Sequence, residues 1–283
     1  MSIVVAKNVC KEFDSLKALD GLSFSIHSGE CFGLLGPNGA GKSTMIKMIY
    51  GVMKRNSGSL SVLGYDPSHQ ARLLKQHMGI VLQEDALDEA LTVYDNMHMF
   101  CKFHGIPDSS AHKRVCELLE FMELSNKTHA RIGTLSGGMK RRLAFVRSLL
   151  SQPKLLILDE PTTGLDPAVR QLLWEKIREL KSQGTTILLT THYMDEAEIL
   201  CDRLVVVNQG KLQSEGSPQS LIQTHCLGYI AMIEKNGQRT HLEAKSLDEM
   251  NALIQEQSAK TLMVRPANLE DVFLKLTGRD LRV

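Results

Sequence analysis

The sequence predicts an α/β protein: a largely parallel sheet wrapped by helices, with an all-helical insert and a small α+β domain towards the C-terminus. Short apolar runs typical of buried strands alternate with stretches whose apolar residues recur at helical spacing, and this rhythm indicates a parallel sheet. This alternation of strand-like and helical segments is interrupted in the middle of the chain, and the pattern changes again near residue 218. With 283 residues, 43% of them hydrophobic, the chain can bury one large core and a smaller one.

The main sheet is predicted within a domain at residues 1–217. Short uninterrupted apolar runs mark its strands, at Cys31–Leu35, residues 155–158, Thr186–Thr190 and residues 204–207. A helix is predicted after Lys42. Between residues 91 and 152 no strand-like run occurs, and apolar residues such as Val115, Leu118 and Leu119 recur at helical spacing. We therefore predict a helical subdomain at about residues 88–152, with a helix cap at Thr92 and a break at Pro107.

A second domain is predicted at residues 218–283, after a stretch rich in structure breakers at residues 214–218. Strand-like residues 229–233 and 240–242 flank Asn236-Gly237, a strong hairpin signal because both residues tolerate positive φ. Capping residues then predict a helix after Ser246 and a last helix from Asn268 to about Gly278, with a strand at residues 261–264 between them.

The composition argues against a nucleic-acid partner. Lysine and arginine total 33 and the acidic residues 32, so no basic field is present. The six cysteines form no C-x-x-C pair, which fits a reducing cytosol. We find no signal peptide and no apolar run near the ~20 residues that a membrane span requires, so we expect any membrane part to come from another chain.

A glycine-rich segment at residues 36–43, here called the phosphate loop, fits the pattern G-x-x-x-x-G-K-[ST] in full and lies between a strand and a helix. Its backbone N–H groups are expected to face the phosphates of ATP. Lys42 is expected to reach the outer phosphates, and the Ser43 hydroxyl Mg²⁺. The predicted nucleotide-binding residues here are Gly36, Pro37, Asn38, Gly39, Ala40, Gly41, Lys42, Ser43 and Thr44.

Two adjacent carboxylates, Asp159 and Glu160, end the apolar run at residues 155–158. Neighbouring side chains on a strand point in different directions. We expect Asp159 to hold Mg²⁺ through its water shell, and Glu160 to polarise the attacking water as a general base.

A second helix start with anion-binding character lies at residues 135–139, here called the signature segment. It offers the Ser136 hydroxyl and the amides of Gly137 and Gly138. By itself a Ser-Gly-Gly sequence is usually a helix cap. The basic cluster that follows, Lys140, Arg141 and Arg142, is interpreted as a solvated helix face and interface charge.

Together these motifs resemble the ATPase subunit of an ATP-binding cassette (ABC) transporter, over roughly residues 2–212. The resemblance assigns Phe13 to stacking on adenine, Gln83 to a flexible loop between the metal site and a membrane partner, residues 164–166 to contact with the opposite subunit, and His192 to a switch position near the γ-phosphate. The signature segment matches the motif that closes over the ATP of a partner subunit. Residues 136–143, 159–167, 190–202 and 269–282 further resemble the daunorubicin-resistance and nodulation-factor export ATPases.

The resemblance implies a P-loop NTPase sheet with an antiparallel β edge, and ATP hydrolysis with Mg²⁺. It implies catalytic roles for Lys42, Gln83, Glu160 and His192, and metal contacts from Ser43, Gln83 and Asp159. It also implies a head-to-tail dimer of two copies, attached to a separate membrane permease at the cytoplasmic face and serving export. For the last helix, Val272, Phe273 and Leu276 are expected to pack either on strands of the second domain or on the same helix of a second subunit, the latter being favoured for assembly or regulation.

Two other classes of function compete with this interpretation. A soluble cassette ATPase acting on ribosomes or nucleic acid usually carries two cassettes or a long coiled coil, whereas this chain has one cassette, no heptads and a near-neutral charge. A GTPase would need a guanine-reading motif, and residues 126–129 lack its aspartate.

Overall fold

The computed structural model describes residues 1–83, 86–235, 238–257 and 260–278, and its central feature is a six-stranded sheet. In chain order the strands are β1 (Ser2–Phe13), β2 (Leu16–His27), β3 (Cys31–Leu35), β4 (Ser57–Val62), β5 (Met78–Val81), β6 (Leu155–Asp159), β7 (Thr186–Thr190), β8 (Arg203–Asn208), β9 (Lys211–Gly216), β10 (Tyr229–Lys235), β11 (Gln238–Ala244) and β12 (Lys260–Pro266). The predicted strands of the main sheet are confirmed.

The six-stranded sheet has the order β5-β6-β7-β3-β8-β9, and its pairs are parallel except for β8 with β9. A separate antiparallel sheet has the order β2-β1-β4. The predicted α/β class, with a parallel sheet and an antiparallel edge, is confirmed. β9 continues through Gly216, so residues 214–216 of the breaker-rich stretch pair with β8.

The helices are α1 (Lys42–Ile49), α2 (Pro67–Lys75), α3 (Val93–Phe103), α4 (Asp108–Phe121), α5 (Gly137–Ser148), α6 (Pro167–Ser182), α7 (Met194–Leu200), α8 (Pro218–His225), α9 (Leu247–Gln257) and α10 (Leu269–Thr277). The predicted insert is helical, with α3, α4 and α5, and two 3₁₀ turns lie between α4 and α5. Thr92 caps α3 by accepting a hydrogen bond from the Asp95 amide, and α4 begins directly after Pro107. No helix of the described ranges has the length and apolar character to span a membrane.

Alternate residues of the central strands face two different cores, as strand geometry requires. One core contains Leu155 and Ile157 of β6 and packs the main sheet against β1, β2 and α1. The other contains Leu156 and Leu158 and packs the main sheet against the helical insert, α6 and α7. The carboxyl ends of the parallel strands therefore lie between two rigid layers.

The C-terminal segment supplies a third, smaller core. β10 pairs with β11 and β12 in an antiparallel sheet, and α9 packs on it through Met250, Leu253 and Ile254. The strands of the predicted hairpin are present, while its turn residues, Asn236 and Gly237, lie outside the described residues. Ser246 caps α9 by accepting from the Glu249 amide.

The last helix packs differently from our expectation. Val272 is fully buried in the same core as Leu200, Leu204 and Leu221, and Phe273 and Leu276 pack against that core. α10 contacts α8, α7 and β8, so its apolar face packs chiefly on these elements of its own chain and not on β10–β12, while packing on a second subunit stays a prediction. The sequence showed that α10 has an apolar face, but not which surface covers it.

Candidate active site

Most of the predicted site residues line one cavity of about 1110 Å³ at the carboxyl end of the parallel strands, while Ser136, Gly137, Gly138 and Asp159 are not part of its lining. Its lining includes all of residues 36–44, together with Phe13, Gln83, Glu160, Thr163 and His192. These residues come from segments up to about 180 positions apart in the chain, and the order of the parallel strands brings them to one edge. The arrangement is that of ligand sites in open α/β sheets.

Two glycines of the phosphate loop occupy positions where a side chain would not fit. A Cβ at Gly36 would lie 2.3 Å from the Val207 carbonyl oxygen, and Gly41 has φ +102° with no space for a Cβ beside Ala18. α1 begins directly after Gly41, so its free N–H groups point into the loop. This cradle of backbone donors at a helix N-terminus fits the phosphates of a nucleotide.

Lys42 is buried inside the loop. Its Nζ donates hydrogen bonds to the carbonyl oxygens of Gly36 at 2.6 Å and Pro37 at 3.1 Å. Burial lowers the pKa of Lys42, and the nearby carboxylates of Glu160 and Asp159 act in the opposite direction. The loop therefore holds an ammonium group where the outer phosphates of a bound nucleotide would lie.

The two carboxylates at the end of β6 have different surroundings. Asp159 Oδ1 accepts a 2.5 Å hydrogen bond from Thr190 Oγ1 on the neighbouring strand. Glu160 Oε2 accepts from Thr163 Oγ1 at 3.3 Å and lies 3.4 Å from His192 Nδ1. Ser43, Gln83 and Asp159 offer a hydroxyl, an amide oxygen and a carboxylate, which are donor types that Mg²⁺ accepts.

Glu160 also has an unusual backbone. Its φ of +50° lies in the left-handed region, which is costly for a residue with a side chain, of order 1–3 kcal/mol. The Glu160 amide donates to the Thr190 carbonyl at 3.0 Å. Strain of this kind persists only where the surroundings hold it, and it turns the Glu160 side chain out of the sheet towards His192.

Comparison with known proteins assigns the family. A family profile described as ABC transporter matches residues 19–163, and a second, described as nodulation factor export protein NodI, C-terminal domain, matches residues 220–278. The Nod factor export ATP-binding protein I of Mesorhizobium japonicum is 43% identical over 293 residues, covering 96% of this chain and 86% of that protein. The chain belongs to the ABC transporter family. The protein of the same description from Burkholderia lata is 42% identical and covers 98% and 97% of the two chains.

Solved structures agree with this assignment. An ATP-binding subunit of an ABC transporter superposes with a TM-score of 0.74 at 26% identity, over 97% of this chain and 99% of that one. A dimeric ATP-binding cassette in a post-hydrolysis state, bound to ADP and Pi, gives a TM-score of 0.68 at 26% identity over 76% and 98%. The predicted resemblance is confirmed, and this ABC ATPase hydrolyses ATP. The findings do not favour the soluble alternative that acts on ribosomes or nucleic acid.

The signature segment of the ABC ATPase lies outside the cavity. Ser136 is exposed and caps α5, its Oγ accepting from the Met139 amide at 3.3 Å. A Cβ at Gly138 would contact Val169 at 3.4 Å, so the start of α5 lies beside the start of α6. Ser136 and Gly137 are therefore exposed at the N-terminus of α5, and neither they nor Gly138 line the nucleotide cavity.

Two aromatic residues line the nucleotide cavity. Phe13, 40% exposed at the end of β1, has Lys11 Nζ at 5.0 Å from its ring centroid. Phe273 on α10 also lines the cavity, and the Leu269 amide at the start of this helix donates to Glu198 of α7 at 3.2 Å. The sequence did not predict a site contribution from the last helix, because its pattern gave no information about the surface that α10 would meet.

The basic cluster after the signature segment was partly misinterpreted. Lys140 pairs with Glu89 at 2.6 Å. Arg141, which we expected on a solvated face, is only 5% exposed, and its guanidinium donates to backbone carbonyls on the loops that carry Gln83 and Glu160. Carbonyl partners are present at every residue, so no side-chain pattern in the sequence could indicate them.

A buried acid behind His192 was also missed. Glu196 on α7 is fully buried, and its Oε1 accepts from Thr162 Oγ1 at 2.8 Å and from Trp174 Nε1 at 2.9 Å. Burial raises the pKa of Glu196, and the hydrogen bonds oppose that shift. An acidic residue in the first turn of a helix is common in sequences, so Glu196 gave no signal of its buried position.

Proposed function

We propose that this chain is the ATP-hydrolysing motor of an exporter, in which two copies close head to tail on two ATP molecules and drive a separate membrane permease. The observation that carries the proposal is the convergence of the phosphate loop, Gln83, Glu160 and His192 on one cavity. The names of the Nod factor relatives state that they serve export, and we propose export for this chain on that basis. The chain would lie at the cytoplasmic face of the membrane, bound to its permease.

Each residue of the cavity is proposed to have one role. The phosphate loop and Lys42 bind the phosphates, and Phe13 stacks on adenine. Ser43, Gln83 and Asp159 would hold Mg²⁺, which supplies charge neutralisation on the phosphate oxygens. Glu160 accepts a proton from the attacking water, and His192, 3.4 Å from its carboxylate, orients Glu160 and contacts the γ-phosphate.

The second copy completes the site in this proposal. Ser136, Gly137 and Gly138 form an exposed helix N-terminus outside the cavity, and such a terminus attracts phosphate. In a head-to-tail pair the signature segment of one subunit would face the phosphate loop of the other. The dimeric cassette among the similar structures supports this arrangement.

A groove beside Gln83 is proposed as the surface that meets the permease. It encloses about 270 Å³ and is lined by Tyr50, Leu82, Ala86, Ala144 and Arg147, among others. Leu82 is 37% exposed although it is apolar. Leu82 lines the groove and its neighbour Gln83 lines the nucleotide cavity. Movement of the permease at the groove can therefore reach the nucleotide site.

We also propose the division of the chain that the sequence suggested, with the ATPase domain at residues 1–217, its helical subdomain at about 88–152, and an accessory domain at 218–283. The separate small core of β10–β12 and α9 supports it. α8 and α10 belong to the accessory domain in sequence but pack in the larger core, and so would anchor it.

The test compares ATP and GTP turnover by the purified chain with and without Mg²⁺, and then with membranes that contain the co-purifying permease or with nucleic acid. We expect Mg²⁺-dependent ATP hydrolysis that the permease membranes change and nucleic acid does not. Turnover stimulated by nucleic acid, or a preference for GTP, would contradict the proposal.

A further inference from the structure

Arg141 is enclosed by main-chain carbonyl groups from two loops of the active site. The guanidinium Nη1 donates to Leu82 at 2.5 Å and Gln83 at 3.4 Å. Nη2 donates to Glu160 at 2.7 Å and Asp159 at 3.2 Å, and Nε donates to Pro161 at 2.7 Å. One side chain on α5 thus joins the end of β5 to the end of β6.

The position of these carbonyls explains why an arginine is present. β5 and β6 are parallel neighbours, with Val81 paired to Leu158. Beyond this pair the two strands diverge, and each is followed by a loop. The carbonyl oxygens at these two strand ends accept from Arg141, and buried carbonyls need donors. Arginine offers five N–H donors in a fixed planar fork, whereas lysine offers one compact ammonium group.

The same hydrogen bonds hold the backbone of Glu160. This residue has φ +50°, and its peptide groups are fixed on both sides, by its amide donating to Thr190 and by its carbonyl accepting from Arg141. The carboxylate then lies 3.4 Å from His192. Without Arg141, the Glu160 carbonyl would lose a charged donor that helps to hold this strained conformation.

We propose that Arg141 is a positioning residue that fixes Gln83 and Glu160 relative to each other and to the signature helix α5. This inference rests on the proposed roles of Gln83 and Glu160. It has a consequence for the dimer, because α5 presents Ser136 to the partner's ATP while its second turn holds the base for the subunit's own ATP. A displacement of α5 on dimer closure would be transmitted to Glu160 through one guanidinium group.

The experiment uses Arg141→Lys and Arg141→Gln in the full chain, with Arg114→Lys as a matched control. Arg114 is a partly buried arginine, and its Nη2 likewise donates to a main-chain carbonyl, that of Leu149 at the other end of α5. Amide hydrogen exchange is measured in the nucleotide-free proteins, ATP affinity by equilibrium binding, and turnover as kcat and KM separately.

We expect exchange in residues 82–83 and 159–163 to become about tenfold faster or more in the Arg141 variants, and to stay unchanged in Arg114→Lys. ATP affinity and KM should stay within about threefold of wild type while kcat falls about tenfold or more, the pattern of a lost transition-state interaction. Arg141→Lys should retain more activity than Arg141→Gln because it keeps one charged donor.

Unchanged exchange in both segments, or a kcat no lower than that of Arg114→Lys, would overturn the inference. Arg141→Lys keeps the charge and most of the side-chain volume, so this variant alone tests the inference if Arg141→Gln does not fold. If the wild-type chain itself shows no ATP turnover, the proposed function fails, but the exchange measurement still decides whether Arg141 fixes the two loops.

Discussion

His192 Nδ1 lies 3.4 Å from Glu160 Oε2. Glu160 follows the end of β6, and His192 follows the end of β7. These two strands are parallel neighbours, and Asp159 pairs with Thr190. The contact therefore follows from the order of β6 and β7 in the sheet. It places a titratable ring beside the carboxylate that we propose as the general base.

Replacing the carboxylate tests that role. Glu160→Gln should retain ATP binding but slow hydrolysis by about 10²–10⁴-fold, because a carboxamide cannot accept the proton of the attacking water. An ATP-bound dimer should accumulate and be detected by light scattering. Glu175→Gln, an exposed residue on α6, is the control, and near-normal hydrolysis by Glu160→Gln would show that Glu160 is not the base.

Lys42→Ala should reduce ATPase activity by about 10²-fold or more, since it removes a preorganised cation from the region where charge develops. Lys47, exposed on the same helix α1, provides the comparison, and Lys47→Ala should remain active. Steady-state phosphate release measures both. If the two variants hydrolyse ATP equally well, the phosphate-loop assignment is wrong.

Ser136→Arg should spare ATP binding by the isolated subunit and prevent dimer closure, because a bulky cation would occupy the position proposed for the partner's phosphate. Gel filtration with ATP in the Glu160→Gln background shows closure directly. Ser109→Arg, in the exposed first turn of α4, should still dimerise. A closed dimer of Ser136→Arg would mean that the signature segment is only a helix cap.

Glu196 predicts a pH effect on stability. Burial raises the pKa of Glu196 above its usual 4.5, so the folded chain holds this proton more tightly than the unfolded chain. Its stabilising contribution is full below pH 4.5 and is lost as the pH rises through the folded-state pKa. The difference in unfolding free energy between Glu196→Gln and wild type should therefore shift in favour of the variant as the pH rises above 4.5.

Urea denaturation followed by circular dichroism measures this difference at each pH. Glu175→Gln, which is exposed, should show a constant difference from wild type. A pH-independent difference for Glu196→Gln as well would show that Glu196 has the same pKa in the folded and unfolded chains.

The packing of α10 in the larger core predicts that the C-terminal segment contributes to the stability of the chain. Leu269 is 1% exposed in the larger core, so Leu269→Ala should lower the unfolding free energy by about 2–5 kcal/mol. Leu262→Ala, at an exposed position on β12, should change it by less than about 0.5 kcal/mol. A chain ending at Thr224 should be destabilised and bind ATP more weakly, since it also lacks Phe273.

Equal stability of the Leu269→Ala and Leu262→Ala variants would contradict the packing described for α10. Near-normal ATP affinity of the shortened chain, measured by equilibrium binding, would show that ATP binding does not need the residues after Thr224.

The parts of the site that the sequence predicted depend on local pattern. Residues 36–43 and the pair Asp159-Glu160 have a fixed spacing next to an apolar strand, and the strand itself supplies their position. Arg141 could not be predicted in this way, because its partners are main-chain groups of residues about 20 and 60 positions away. The covering of α10 was missed for a related reason, since an amphipathic helix does not identify the surface on which it packs.

Trp174 is the one tryptophan in the sequence. Its indole Nε1 on α6 donates a 2.9 Å hydrogen bond to the buried carboxyl group of Glu196 on α7. Glu196 is four residues after His192. Because indole emission responds to the charge and polarity of such a neighbour, the unlabelled chain contains a fluorophore placed to report on the helix that follows His192, the residue we propose as the switch. Stopped-flow fluorescence could then follow each turnover in real time, without a dye.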